Sequence, residues 1–332
     1  MGGLLENHGL TADDLRQIVI AGNTTMIHLL AAYDPICLGR APYKMAFSGP
    51  LELKGADLGL VAADCPVYCV PSVSAFIGGD IIAGVLACRL YESTDCALFI
   101  DIGTNGEIIL ANHGKLVGCS CATGPALEGM NISCGSIAKD GAIEDLSIDD
   151  GQINYVTIGG ADPIGLCGSG LLATVAELYR KGLLDKNGRL KKLSPIEVVD
   201  SKRRLPLGGG LVLTQQDVRQ VQLAKGAILS GINSLLQAAK VKPEQLDRII
   251  VAGQFGAHLK AMDLLDCGLL PKVDVDKIIY AGNTSLSGAY LCLVGRGERE
   301  ICTRIASSVD YLELIELPDY QQEFLRCMSF DA

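Results

Sequence analysis

The segment from residue 97 to residue 110 decides the fold, and its sequence is Ala-Leu-Phe-Ile-Asp-Ile-Gly-Thr-Asn-Gly-Glu-Ile-Ile-Leu. An apolar run stands on each side of a short polar segment. Such a pattern predicts two buried strands joined by a tight turn, and the pair Asn105-Gly106 is typical of a hairpin turn. Strands this apolar are expected to be covered on both faces by helices, which indicates an α/β fold.

The polar residues of this segment are candidates for binding phosphate. Gly103 and Gly106 let backbone amides approach a phosphate closely, and Thr104 and Asn105 offer further donors. Asp101 ends the first strand, where its carboxylate can hold a hydrated Mg²⁺. A plain hairpin without a ligand is the alternative interpretation.

Three further segments share the order apolar strand, Ala-Gly, polar residue, helix: IVIAGNTTM at 18–26, IIVAGQFGA at 249–257 and IIYAGNTSL at 278–286. Their unequal spacing rules out a solenoid and indicates a duplicated α/β design. A glycine turn before a helix can bind phosphate through its amides, or it can begin a helix with no ligand. For 165–170, which opens a predicted helix, the alternatives are an anion cradle and a tight packing site. The tail at 311–317 alternates and predicts an edge strand.

Composition excludes several classes of protein. The chain has 332 residues, 49% of them hydrophobic, and a net charge of −10. It therefore lacks the basic footprint of a nucleic-acid-binding protein, and the clusters 191–192 and 202–204 are interpreted as solvated loop charge. We expect no membrane span and no signal peptide. Thirteen cysteines without metal-binding spacing predict buried free thiols in a reducing cytoplasm, as in an anaerobe.

The order of the elements resembles the actin-like superfamily, also called ASKHA after acetate and sugar kinases, heat-shock chaperones and actin. Residues 74–90 resemble its "connect 1" helix, and the Asp101 segment resembles its "phosphate 2" hairpin. Residues 253–256 resemble the "adenosine" turn, and 282–289 the "connect 2" helix. The resemblance implies a two-lobed, ribonuclease H-like α/β ATPase fold with a cleft for ATP.

The implied domains follow that scheme. Residues 1–93 would be the first lobe, without its N-terminal hairpin. Residues 94–275 would be the second lobe, with the phosphate 2 and adenosine turns. Residues 276–332 would carry the connect 2 helix and return to the first lobe.

Within the superfamily, the chain looks most like the ATP-dependent reductive activators of corrinoid proteins. The matching phrases are AGNTTMIHLL (21–30), DIGTNGEI (101–108), CATGPALEG (121–129), GLCGSGLL (165–172), QLAKGAI (222–228), AGQFGAHL (252–259) and PDYQQEFLRCM (318–328). The likeness implies ATP and Mg²⁺ as cofactors and a corrinoid protein as partner, in which cob(II)alamin is reduced to cob(I)alamin. The family's electron donor is a [2Fe–2S] ferredoxin domain. We expect no such cluster in this chain, a ferredoxin polypeptide acting in trans, and a cytoplasmic location; homodimerisation stays open.

The resemblance also assigns site residues. Asp101 and Glu107 would be catalytic, and Asp101 would be the Mg²⁺ ligand. A lysine on a helix surface is expected to be solvated, so the assignment of Lys225 rests on the resemblance alone. The residues expected to contact the nucleotide are Gly103, Thr104, Asn105, Gly106, Gly168, Ser169, Gly170, Gln222, Lys225, Gly253, Gln254, Phe255, Gly256, Gly282 and Asn283.

Two departures from the family pattern leave alternatives open. The "phosphate 1" hairpin of the D-I-G-T-T-T type does not occur in the sequence, and Gln254 stands where relatives usually have glycine. We therefore expect weak binding of ATP and slow hydrolysis by the isolated chain. A non-hydrolysing module that docks a corrinoid protein or fixes a dimer is one alternative. A small-molecule kinase of the same fold is another.

Overall fold

The computed structural model describes residues 2–60, 62–253, 259–295 and 297–332. The described helices are α1 (Gly2–Asn7), α2 (Thr24–Leu30), α3 (Gly79–Ala87), α4 (Gly168–Arg180), α5 (Gln215–Ala239), α6 (Ala261–Asp266), α7 (Thr284–Val294), α8 (Glu298–Ser308) and α9 (Tyr320–Cys327). The strands are β1 (Ile18–Ile20), β2 (Leu51–Lys54), β3 (Pro66–Cys69), β4 (Cys96–Ile102), β5 (Asn105–Asn112), β6 (Lys115–Ala122), β7 (Ala142–Asp149), β8 (Gln152–Thr157), β9 (Gly165–Leu166), β10 (Glu197–Val199), β11 (Lys202–Gly208), β12 (Leu211–Thr214), β13 (Arg248–Ala252), β14 (Ile278–Gly282) and β15 (Val309–Tyr311).

The largest sheet has six strands in the order β14-β13-β4-β5-β6-β15. Strand β13 pairs with β14 in parallel, and β15 pairs with β6 in parallel. The side chains of residues 97–100 in β4 are fully buried. This burial agrees with the continuous apolar run that the sequence shows at the same place.

The chain divides into two compact units. The first comprises Met1–Phe99, Ile109–Cys119 and Asn283–Leu312, and the second comprises Ile100–Ile108, Ser120–Gly282 and Glu313–Ala332. The boundaries of these units differ from those of the lobes predicted from the sequence. The division into lobes stays a prediction.

In the first unit, helices α3 and α7 pack closely because both carry glycine at their contact. A Cβ atom on Gly288 would lie 2.1 Å from the carbonyl oxygen of Ala83. A Cβ atom on Gly84 would lie 2.6 Å from the Phe99 ring and 2.9 Å from the Thr284 hydroxyl. The two helices therefore approach to backbone contact, which a larger residue at Gly288 would prevent. The unit also holds a three-stranded sheet in the order β1-β3-β2.

The second unit contains two further sheets, ordered β8-β7-β9 and β10-β11-β12, and the longest described helix, α5. Helix α5 begins with a capping box in which the Thr214 hydroxyl accepts from the Asp217 amide and the Asp217 carboxylate accepts from the Thr214 amide at 2.7 Å. From the sequence, Thr214 is predicted to cap a helix that runs from Gln215 through Ala239, and the structure agrees with both ends. Helix α9 packs along α5.

The predicted edge strand in the tail is wrong for most of its length. Strand β15 ends at Tyr311, and Leu314–Glu316 form a 3₁₀ turn. In that turn Leu314 is buried while Ile315 is 70% exposed. Alternating apolar residues fit a turn with one buried side chain as well as a strand, and the pairing with β6 ends at Gly118.

The thirteen cysteines are all free thiols, and eleven of them are buried. This confirms their interpretation as small packed hydrophobes. None of the described helices is long and apolar enough to cross a membrane.

Candidate functional site

The hairpin between β4 and β5 has a shorter turn than the sequence predicts. Only Gly103 and Thr104 lie outside the strands, and the Gly103 amide donates to the Asn105 carbonyl at 2.9 Å. The predicted Asn105-Gly106 turn is therefore wrong, because both residues belong to β5. Gly106 is closely packed in β5: a Cβ atom there would lie 3.0 Å from the Cys121 sulfur and 3.1 Å from Thr123.

A buried threonine fixes this loop from behind. The Thr123 hydroxyl donates toward the carbonyls of Gly103 and Thr104, at 2.6 and 2.8 Å. The Gly124 amide also donates to the Thr104 carbonyl, and the Thr104 hydroxyl donates to the Glu128 carboxylate. The loop carbonyls are thus tied to the segment after β6, while Thr104 and Asn105 stay exposed. A loop held in this way can present its amides to a phosphate without first being ordered.

The sequence did not identify Thr123 or Glu128 as functional residues. They lie in the phrase CATGPALEG, which supported the resemblance without a role for either side chain. A Thr-Gly-Pro sequence directly after a strand is the local signal that could have indicated them.

Asp101 and Gly253 lie against each other. Gly253 follows β13 with a φ of +85°, in the region that favours glycine. A Cβ atom at this position would lie 2.5 Å from the Asp101 Oδ1 atom and 3.7 Å from the Ile102 carbonyl. The turn after β13 and the end of β4 therefore come together. Gln254, Phe255 and Gly256 lie outside the described residues.

Asp101 is the residue of this site that fits a Mg²⁺ ion. Its carboxylate is half-buried at a strand end, beside a loop of exposed donors. Mg²⁺ binds proteins through one or two carboxylates and completes its shell with water and phosphate oxygens. Among the described residues, no group of three or more His, Cys, Asp or Glu side chains is placed to hold a metal alone.

Glu107 lies two residues into β5 and is half-buried. Burial, aided by the charge of Glu107, raises the pKa of the Cys121 thiol to about 12. Cys121 is consequently a neutral, packed thiol at ordinary pH, and Glu107 is its neighbour. A catalytic role for Glu107 stays a prediction.

The N-terminus of α4 is packed inside the second unit. Gly168, Ser169 and Gly170 are all buried, and a Cβ atom on Gly170 would lie 2.0 Å from the Ile143 carbonyl in β7. These contacts support the packing alternative for this turn. A contact with the nucleotide stays a prediction.

Gln222 and Lys225 hold the C-terminal segment. The Gln222 amide donates to the Met328 carbonyl at 2.9 Å. The Lys225 ammonium donates to the carbonyls of Cys327 and Ser329 and lies 5.5 Å from the Phe330 ring centroid. The expectation of a solvated Lys225 is wrong, because the residue is fully buried and donates to carbonyls at and just after the end of α9. A nucleotide contact for either residue stays a prediction, and it would require these bonds to break.

Burial lowers the pKa of Lys225 from 10.5 to about 8. Above pH 8 the folded chain releases this proton, whereas the unfolded chain keeps it until about pH 10.5, so this residue's burial penalty falls as pH rises. Between pH 7 and pH 10, we expect the free energy of unfolding of the parent chain to rise by about 2–3 kcal/mol relative to that of the Lys225→Met variant. Urea denaturation of both proteins across this range measures the difference. Lys192→Met, at an exposed site, is the control: its free energy of unfolding should change with pH as that of the parent chain does. The same pH dependence in Lys225→Met and the parent chain would contradict the prediction.

Gly282 and Asn283 form the turn from β14 to α7. Gly282 has a φ of +64°, and the Asn283 side chain accepts from the Leu286 amide at 2.9 Å as the helix N-cap. Asn23 caps α2 in the same way, accepting from the Met26 amide at 2.8 Å. The repeated Ala-Gly-Asn-Thr phrase is therefore a strand-to-helix capping signal. A nucleotide contact for Gly282 and Asn283 stays a prediction.

Comparison with known proteins identifies the family. Residues 95–332 match the C-terminal domain of RACo, the ASKHA domain, and residues 1–93 match the RACo middle region. The chain is 34% identical to the corrinoid activation enzyme RamQ of Eubacterium limosum, over 96% of this chain and 56% of that protein. It is 25% identical to the [Co(II) methylated amine-specific corrinoid protein] reductase of Methanosarcina barkeri, over 81% of this chain and 52% of the relative.

A solved structure agrees with this result. The reductive activator for corrinoid, iron–sulfur protein superposes with a TM-score of 0.88 at 36% identity, covering 98% of this chain and 54% of its own. The chain thus spans about half the length of these relatives. The predicted actin-like α/β fold and the resemblance to reductive activators are confirmed. The chain belongs to the family defined by the RACo middle region and the RACo C-terminal ASKHA domain.

Proposed function

We propose that this chain is the ATP-binding part of a reductive activator that drives a corrinoid protein from cob(II)alamin to cob(I)alamin. The observation that carries the proposal is the contact between Asp101 and Gly253, beside a loop braced by Thr123. In an ASKHA domain, a carboxylate and two glycine turns at one place suit the phosphates of a nucleotide. The relatives are named for corrinoid activation, which supports the substrate class.

The chain's own residues have separate tasks in this proposal. Asp101 would hold a hydrated Mg²⁺, and the backbone amides of Thr104 and Asn105 would donate to phosphate oxygens. Thr123 and Gly124 keep the loop in place by occupying its carbonyls. ATP, when bound, supplies the free energy that the uphill electron transfer requires. A ferredoxin-type polypeptide is the proposed electron donor.

The test combines the chain with a corrinoid protein in the cob(II)alamin state and a [2Fe–2S] ferredoxin as one-electron donor. We expect cob(I)alamin, followed by its absorbance, to form with Mg-ATP and to form much less without nucleotide. Phosphate release in the same assay tests the prediction of slow hydrolysis.

A nucleotide-free control separates this proposal from the docking alternative. If the corrinoid protein binds the chain but cobalt reduction is the same with and without ATP, the docking module is supported and the proposal is contradicted. The variant Asp162→Asn, which alters an exposed carboxylate elsewhere in the second unit, should keep the ATP effect.

A further inference from the structure

The second unit contains a cavity of about 800 Å³ between the β10-β11-β12 sheet, the start of α5 and the turn that carries Arg189. It shares no residue with the Asp101–Gly253 site. Its lining includes four cations and one acid: Arg189, Lys202, Arg203, Arg204 and Asp200. A volume of this size is in the range of small-molecule sites.

The strand register places two of the cavity's cations, Lys202 and Arg204, on one face of the sheet. Lys202 lies opposite Val199, and Arg204 lies opposite both Glu197 and Thr214. Residues paired across strands share a face, and residues two apart along a strand share it too. Lys202 and Arg204 therefore project from the same face. The interpretation of 202–204 as loop charge is wrong, because all three residues belong to strand β11.

A set of hydrogen bonds brings Arg189 to the same cavity. The Gln215 side chain accepts from the Leu190 amide at 2.9 Å and donates to the Gly188 carbonyl at 2.5 Å. The Arg203 guanidinium donates to the Leu190 carbonyl. The turn on both sides of Arg189 is thus fixed to α5 and β11, so the position of its backbone at the cavity is built into the fold.

The charge of the cavity opposes that of the chain. The chain carries a net charge of −10, yet cations outnumber acids four to one in this lining. Arg204 is paired with Glu197 at 3.1 Å, and Arg203 is held by the Leu190 carbonyl. The side chains of Arg189 and Lys202 have no hydrogen bond or ion pair within the described part of the chain. Like charges gathered in one cavity repel one another, and a bound anion relieves that repulsion.

We propose that this cavity binds a small phosphoanion that carries at least two negative charges. Arginine is suited to phosphate because its planar fork can donate two parallel hydrogen bonds. Val199 and Val212 form an apolar part of the lining, against which the rest of a larger phosphate compound can pack. The phosphoanion is either the phosphate chain of a nucleotide or a free phosphorylated small molecule. This site does not depend on the function proposed above.

The test is calorimetric titration of inorganic pyrophosphate, in EDTA, into the chain and into the double variant Arg189→Gln/Lys202→Gln. Neither altered side chain has a partner that the fold requires. We expect saturable binding by the parent chain and a loss of at least about tenfold in affinity in the double variant, since each removes a charge-assisted hydrogen bond. Lys192→Gln, which removes an exposed charge outside the lining, should bind as the parent does.

Further arms identify the source of the phosphate and separate this cavity from the nucleotide site. Tighter binding of ADP than of pyrophosphate, lost in the double variant, indicates a nucleotide; equal binding indicates a free phosphate compound. The double variant should bind Mg-ATP at the Asp101–Gly253 site as the parent chain does, because Arg189 and Lys202 lie outside that site. The proposal is overturned if pyrophosphate does not bind saturably, or if the double variant binds it as well as Lys192→Gln does.

Discussion

Replacing Gly288 with alanine should destabilise the first unit by about 2–3 kcal/mol, because it overpacks a contact between two helices. The new Cβ atom would lie 2.1 Å from the Ala83 carbonyl oxygen, 2.5 Å from its carbon and 2.6 Å from its Cα atom. All three are backbone atoms, so no rotamer change removes the clash and α3 must move away from α7. The better helix propensity of alanine offsets about 1 kcal/mol of a larger steric cost.

The measurement is urea denaturation followed by circular dichroism. Gly3→Ala is the matched control, since Gly3 also lies in a helix but a Cβ atom added there would meet no other atom within 4 Å. We expect that control to be neutral or slightly stabilising. Equal midpoints for the two variants would show that α3 and α7 are not in backbone contact.

Replacing Asp101 with asparagine should weaken the binding of Mg-ATP by at least about tenfold, because an amide removes the charge that holds the metal. The substitution keeps the shape of the side chain, so its packing against Gly253 is retained. In EDTA the difference between the two proteins should shrink, since the metal no longer contributes. Calorimetric titration of nucleotide, with and without Mg²⁺, measures both effects.

Two variants make this prediction specific. Asp162→Asn should bind Mg-ATP as the parent chain does, because that carboxylate is exposed and outside the site. Gly253→Ala alters the residue that contacts Asp101. The new Cβ atom would lie 2.5 Å from the Asp101 carboxylate, and the backbone φ of +85° is unfavourable for alanine. The strain at such a position is about 1–3 kcal/mol, and we expect nucleotide binding to fall with it. Unchanged binding of Mg-ATP in both Asp101→Asn and Gly253→Ala would contradict the assignment of this site to the nucleotide.

Features encoded by neighbouring residues could be predicted from the sequence. Helix α5 begins and ends where the Thr214 capping signal and the apolar periodicity place it. Strand β4 is set by a continuous apolar run. Such signals lie within a few residues of the element that they specify.

Features that depend on distant residues could not be predicted. Lys225 is buried by carbonyls 102 and 104 positions away, and nothing near it in the sequence indicates that cover. The β4–β5 turn lies at Gly103-Thr104 and not at Asn105-Gly106, and Gly106 packs against Cys121 and Thr123 of another segment. The basic cavity likewise requires the register of three strands, which places Arg204 beside Thr214.

The central claim is that the Asp101 loop and the Gly253 turn form the phosphate side of a nucleotide site. The most direct measurement is a crystal structure of the chain with Mg²⁺ and a non-hydrolysable ATP analogue. We predict phosphate oxygens within hydrogen-bond distance of the Thr104 and Asn105 backbone amides, with the metal beside the Asp101 carboxylate. An analogue bound elsewhere, with that loop and carboxylate untouched, would contradict it.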